Sequence, residues 1–504
     1  MNEADARPYS HPAPYGGWNA RGNLANMPFT DAIQMDNIFP GVQEVELRKG
    51  RIDWKTGFGA NIRTLMPYHA ATTSKLFAAT SSGVYDATGS GVVGAVVSAA
   101  TNGFWSHTNI ANSGGSWLIM VNGVDDGKRY DGTTWFTSGI TGVAGSSLNY
   151  VTLHQKRLWF VEKSSMNLWY LGTESVTGAA TKFPVGALFK KGGYVLAIGS
   201  WTIDSGSGTN DLFVIVTSNG EAAAYQGTDP SSSTTWALLG VYEVPRPLGN
   251  RPLIDFGGDL LYLSRNGLIP LSKLAQSAVL DRSQQVSYKI DGAMAAAADT
   301  SSSVFGWQMV LHKTKNMLVV NAPVSADVLS YQFVMNTITG AWCRFTNWNA
   351  SCWAVLDDDI YFAGGTTVSK AWTGFNDAGT PIIGQVAQAY SYLGSRGQKA
   401  ITLARMNFSL GGSLTLQMTL DTDFRTFSGE TTIGYTATST GALWDAGLWD
   451  TGLWDGGDQT IDPKWETLPG ELGYQHSFRM QVTTSQSAFS WTSTDFAWRP
   501  AGIL

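Results

Sequence analysis

Charge is scarce in this chain. Of 504 residues, 33 are Lys or Arg and 39 are Asp or Glu, 14% in all, against about 25% in ordinary soluble domains. The Lys/Arg surplus that marks a nucleic-acid binder is missing, because the net charge is −6. Cysteine is almost absent, and Cys343 and Cys352 cannot make a disulfide framework. They are expected to be small apolar core residues in a reducing compartment. No apolar run approaches the roughly 18 residues that a membrane helix needs. The stretch Met1 to Pro14 is polar and proline-rich and lacks the apolar segment of a secretory signal.

Glycine and aromatics take up the room. There are 57 Gly, 20 Trp, 18 Tyr and 22 Phe, and 43% of the chain is hydrophobic. That composition excludes a disordered chain, which has few aromatics and a high net charge.

Short apolar runs alternate with Ser/Asn/Gly turns. Lys75 to Ala79 is followed by Gly83-Val84-Tyr85-Asp86, and Trp117 to Val121 by Asn122-Gly123 and Arg129-Tyr130-Asp131-Gly132. The same grammar recurs at Arg157–Val161, Asp211–Val216, Asp259–Leu263, Asn316–Val320 and Asp359–Ala363. Each unit reads as a β-hairpin. The runs, taken as first strands, begin near residues 76, 117, 158, 212, 260, 317 and 360, at intervals of 41, 41, 54, 48, 57 and 43. That is the period of about 40–50 residues of a four-stranded propeller blade. Turn-then-Trp endings at Asp131-Gly132-Thr133-Thr134-Trp135 and at Thr339-Gly340-Ala341-Trp342 suit stacked blades. The competing reading is an irregular pair of β-sandwiches. Only an Ala-rich piece near Ala293–Ala298 looks helical.

After about residue 375 the period is lost and longer alternating strands appear, such as Leu414–Leu420 and Arg479–Val482. The expectation is therefore an all-β protein in three parts. Residues 1–50 are an extended N-terminal arm, 51–375 a β-propeller of six or seven blades, and 376–504 a C-terminal β-sandwich-like module.

One unit is written three times: Leu443-Trp444-Asp445, Leu448-Trp449-Asp450 and Leu453-Trp454-Asp455. A spacing of five fits neither strand nor helix, so a ribbon turning at each Asp is expected. Its Trp residues would cover their own module, a neighbouring subunit or, less readily, a carbohydrate.

Signs of catalysis are weak. The six histidines are scattered, and neither a His-Glu-x-x-His nor a Cys-x-x-Cys spacing occurs. Gly89-Ser90-Gly91-Val92-Val93-Gly94 fits Gly-x-Gly-x-x-Gly but is followed by no helix, so it reads as a loop. Asp357-Asp358-Asp359 and Asp125-Asp126-Gly127 lack the alternation of a calcium loop and read as turns. No catalytic residue, metal ligand or cofactor is assigned, and the chain is read as a non-enzyme.

Several segments carry a resemblance. They are Gly16-Gly17-Trp18-Asn19-Ala20-Arg21, Met27-Pro28-Phe29-Thr30-Asp31-Ala32, Asp36-Asn37-Ile38-Phe39-Pro40-Gly41 and Leu47-Arg48-Lys49-Gly50, with Ser74–Ala79, Gly83–Asp86 and the ending Thr494 to Gly502. This pattern resembles the tail nozzle, or tail hub, proteins of short-tailed bacteriophages. It covers roughly the first 90 residues and the last 15, and the middle matches only in style. The resemblance implies a structural virion protein in the phage tail, assembled in the host cytoplasm. It implies a hexameric ring of propeller subunits below portal and adaptor rings, holding fibres or spikes and passing DNA without sequence-specific binding. Trp18, Phe39, Trp444, Trp449 and Trp454 are the candidate subunit or partner contacts. The alternatives are a receptor-binding fibre or adhesin and a glycan-cleaving propeller enzyme, whose Ser-x-Asp-x-Gly-x-x-Trp box is absent.

Overall fold

The computed structural model describes residues 7–202, 211–276, 285–436, 459–460, 464–469 and 471–501. It divides into two compact units: Asp53–Tyr331 with Trp348–Lys370, and Met1–Ile52 with Gln332–Asn347 and Ala371–Leu504.

The first unit is a β-propeller of seven blades. Blade 1 holds Thr64–His69, Ser74–Thr80 and Gly83–Asp86; blade 2 holds Ser106–Asn112, Gly115–Val121, Lys128–Tyr130 and Trp135–Thr137. Blade 3 is Leu148–His154, Arg157–Glu162, Asn167–Tyr170 and Thr181–Pro184; blade 4 is Val195–Trp201, Leu212–Thr217, Glu221–Gly227 and Trp236–Glu243. Blade 5 is Leu253–Phe256, Asp259–Ser264 and Gly267–Pro270. Blade 6 begins Gln308–His312 and Met317–Ser325, and its next strand, Leu329–Asn336, crosses the unit boundary. Blade 7 is Cys352–Leu356, Asp359–Gly364 and Thr367–Ala371, flanked by Arg51–Thr56 from the start of the unit. Pairing a strand from before blade 1 with blade 7 latches the ring. The first strands of consecutive blades touch all the way round, and Cys352–Leu356 meets Thr64–His69.

The expected period was correct, but the strand order within it was not. The apolar runs taken as first strands are the second strands of their blades. Leu212–Thr217 is buried at every residue, because second strands lie between two neighbouring blades and pack on both faces. The innermost strand before each is less apolar; in blade 2 it is Ser-His-Thr-Asn-Ile-Ala-Asn, with only Ile110 fully buried. A search for apolar runs passes over it.

Cores form between blades. Trp159 and Tyr170 of blade 3 pack with Phe213, Tyr225 and Trp236 of blade 4. Trp159 lies 4.4 Å from Phe213 and stacks on Trp236 at 5.6 Å and 16°. Each aromatic buries on the order of 150–250 Å², so this seam is a large store of stability. Trp135, placed by the Asp131 turn, sits 4.9 Å from Phe77 of the preceding blade, as the turn-then-Trp reading expects. The Asp357-Asp358 turn is tight, with φ of 48° and 62° at the two residues. The Ala-rich piece is helical over Asp291–Ser301.

The second unit is a sandwich. One sheet runs Ile38–Pro40, Val45–Leu47, Phe489–Pro500 and Lys399–Leu410, with Arg7–Pro12 also on Phe489–Pro500. The other contains Asp31–Asp36, Thr380–Gln388, His476–Thr484, Ser413–Thr422 and Thr431–Thr436, with Trp342–Phe345 beside Asp31–Asp36. Burial alternates along Lys399–Leu410, as a strand with one core face requires. Phe478 of one sheet meets Trp491 and Phe496 of the other at 5.8 and 5.6 Å.

Two expected boundaries move. Residues 7–50 are no free arm: their strands enter both sheets, with Arg7 opposite Trp498 and Ala32 opposite Gln388. Pro12, Pro14, Pro28 and Pro40 cut this segment into strands too short to show a period. Residues 332–347 group with the sandwich unit, yet Trp342–Phe345 pairs with Leu329–Asn336 and so ends the blade 6 meander as the turn-then-Trp reading expects, with Trp342 at 0% exposure.

Candidate functional site

The innermost strands bring polar side chains together at one end of the propeller axis. Arg251 enters just before blade 5. Its Nη1 donates to Gln308 Oε1 of blade 6 at 3.0 Å, and its Nη2 donates to Thr64 Oγ1 of blade 1 at 2.9 Å and to the Trp105 carbonyl before blade 2 at 3.0 Å. Groups from opposite sides of a seven-bladed ring meet one guanidinium only near the axis. Gln308 then exchanges hydrogen bonds with the Trp353 backbone of blade 7, at 3.0 and 3.1 Å. The network ties together blades 5, 6, 7 and 1 and the segment before blade 2.

Two cavities of about 310 and 480 Å³ open on this crossing and share Tyr194, Leu196, Asn250, Arg251 and Phe305. At the rim Phe104 and Phe305 meet edge-on at 4.6 Å. Arg63 covers both rings at 5.4 and 5.8 Å and pairs with Asp327, which also accepts from Asn61. Arg63 is thus neutralised and clamped.

Burial sets the electrostatics. It drives the His107 imidazole down to about 3, helped by the Arg251 charge. It raises the Tyr150 phenol to about 12 and the Cys352 thiol to about 11, with Arg251 opposing both. At neutral pH these three groups are uncharged, while a guanidinium stays protonated in any protein. Thiol nucleophilicity requires the thiolate, so Cys352 is inert here, and burial raises Cys343 in the sandwich well above its usual range too. No group of three His, Cys, Asp or Glu able to hold a metal occurs among the described residues.

The contact residues expected from the sequence lie elsewhere. Trp18 is half-buried in the sandwich unit, stacked on Phe333 at 6.0 Å and donating from Nε1 to the Ile33 carbonyl. Phe39 is only 5% exposed and packs edge-on against Trp372 at 5.7 Å, so its ring has no face left for a partner. Trp444, Trp449 and Trp454 lie outside the described residues. The Asp125 carboxylate holds a loop, accepting from Thr101, Asn102 and Asn122, which fits the turn reading. Arg251, Tyr150 and Gln308 carry no motif, and no pattern in the sequence singles them out.

No family of known proteins matches the sequence, and no curated protein does. In fold the chain is similar to BBS1N in complex with ARL6DN, with 9% identity, a TM-score of 0.41 and coverage of 64% of this chain and 97% of that one. It is also similar to the extracellular domain of the one-component system BT4673 from B. thetaiotaomicron, with 11% identity and a TM-score of 0.42, over 86% of this chain and 61% of that one. Likeness at this level carries no argument about function.

Proposed function

We propose that the chain is a non-enzymatic subunit of a tail nozzle ring of a short-tailed bacteriophage, lining the conduit for DNA and anchoring fibres or spikes. The observation that carries this reading is where the nozzle-like segments fall. The motifs Gly16–Arg21, Met27–Ala32, Asp36–Gly41 and Leu47–Gly50 and the ending from Thr494 are far apart in sequence but share one folded unit, while Ser74–Ala79 and Gly83–Asp86 lie in blade 1 of the other. Arg7–Pro12, which leads into the first motif, pairs with Ser493–Trp498 of the last. Segments that fold together can be kept together as one docking module.

In this reading DNA does not thread a single subunit, and the conduit lies between subunits of the ring. A chain with only 14% charged residues and a net charge of −6 offers duplex DNA few cations to bind. Native mass measurement of the purified protein, alone and with its neighbouring tail proteins, tests the reading. A hexamer is expected; a stable trimer would favour a fibre or adhesin and sink the nozzle.

A further inference from the structure

We propose that the axial mouth of the propeller is a binding site for a small oxyanion-bearing molecule, a carboxylate or a phosphate, held by Arg251 and Tyr150. This goes beyond the nozzle reading and does not depend on it.

Arg251 carries a charge that no carboxylate among the described residues balances; its three hydrogen bonds go to neutral acceptors. Its neighbours in the field are Tyr150 and Cys352, both uncharged at neutral pH. A desolvated cation is unfavourable unless it is paired. A neutral donor such as Gln could tie the blades together without that penalty, so stapling alone does not explain an arginine. Arg251 lines a cavity of about 480 Å³.

The lining completes the case. The Tyr150 hydroxyl, on the same cavity, makes no hydrogen bond among the described residues and is free to donate. Lys163 at the rim donates to the Gly123 carbonyl and has no acidic partner, so it adds positive potential. Phe104 and Trp105 supply flat apolar walls. A cation at the base, a hydroxyl beside it and aromatic walls fit a compact anion with a polar body. The confined space does not admit a duplex.

Calorimetric titration of the full-length protein with sodium phosphate and with sodium glucuronate, at constant ionic strength in chloride, tests this. Saturable binding of at least one is expected, and the tighter of the two tells which oxyanion the site prefers. Arg251→Gln should weaken it about tenfold or more, the worth of one charge-assisted hydrogen bond. Tyr150→Phe removes only a hydroxyl, should leave folding intact and should weaken binding severalfold. If Arg251→Gln fails to fold, Tyr150→Phe decides alone, and an unchanged affinity overturns the proposal. So does the absence of saturable binding to both anions, or binding of a duplex oligonucleotide in their place.

Discussion

In the propeller, strands that pair are consecutive in the chain: Ser106–Asn112 turns straight into Gly115–Val121, and Arg157–Glu162 into Asn167–Tyr170. In the sandwich, partners come from opposite ends: Arg7–Pro12 lies on Phe489–Pro500, and Asp31–Asp36 on Thr380–Gln388. Sandwich strands are also longer, reaching 12 residues at Lys399–Leu410 and Phe489–Pro500, but the wiring is the deeper difference. Local pairing closes small loops at little entropic cost, whereas end-to-end pairing must first bring the termini together. The blades can therefore form as the chain emerges, and the sandwich only when the last strand is available. A long-range pairing of the propeller, Arg51–Thr56 against blade 7, closes the ring.

The largest effect that separates the units is expected at Arg48. This side chain is 1% exposed, bonds Asp377 at 2.6 and 2.9 Å, and also holds Asn37 and the Thr346 carbonyl. It joins the three chain segments from which the sandwich is made. Arg48→Met leaves Asp377 buried without its ion pair, at about 3–5 kcal/mol. Hydrogen exchange read by mass spectrometry should show protection falling across the sandwich strands, with the blades unchanged.

The mirror experiment is Trp159→Ala. It should also destabilise by about 3–5 kcal/mol through the cavity it leaves. The lost protection should centre on blades 3 and 4, whose seam Trp159 fills, and spare the sandwich.

Acid acts on both units. Burial holds His11 and His476 in the sandwich and His154 in the propeller down to about 4. As pH falls through the ordinary histidine value near 6.5, the unfolded chain takes up protons that the folded chain refuses until about pH 4. Stability should therefore be full above about pH 7 and fall across that window, by up to about 3 kcal/mol for each histidine. Melting temperatures measured from pH 7.5 to 4 check this; a flat profile would show that these rings are solvated.

The same contrast explains what the sequence reveals. Second strands such as Leu212–Thr217, buried on both faces, write themselves as apolar runs, so the hairpins and their period were legible. Innermost strands face the axis on one side and so keep polar residues such as His107, Asn109 and Asn149. Sandwich strands from the first 50 residues have partners hundreds of residues away, and no local pattern records that. The axial site was illegible for the same reason: Arg251, Gln308 and Thr64 meet only because the ring closes.

The central claim is that the conduit is built between subunits while each propeller axis stays shut. Averaged electron-microscope images of the assembled particle test it most directly. The account predicts this chain as six copies around a tail channel, with Arg251 closing each propeller. Three copies in a fibre, or DNA density running through a propeller axis, would contradict it.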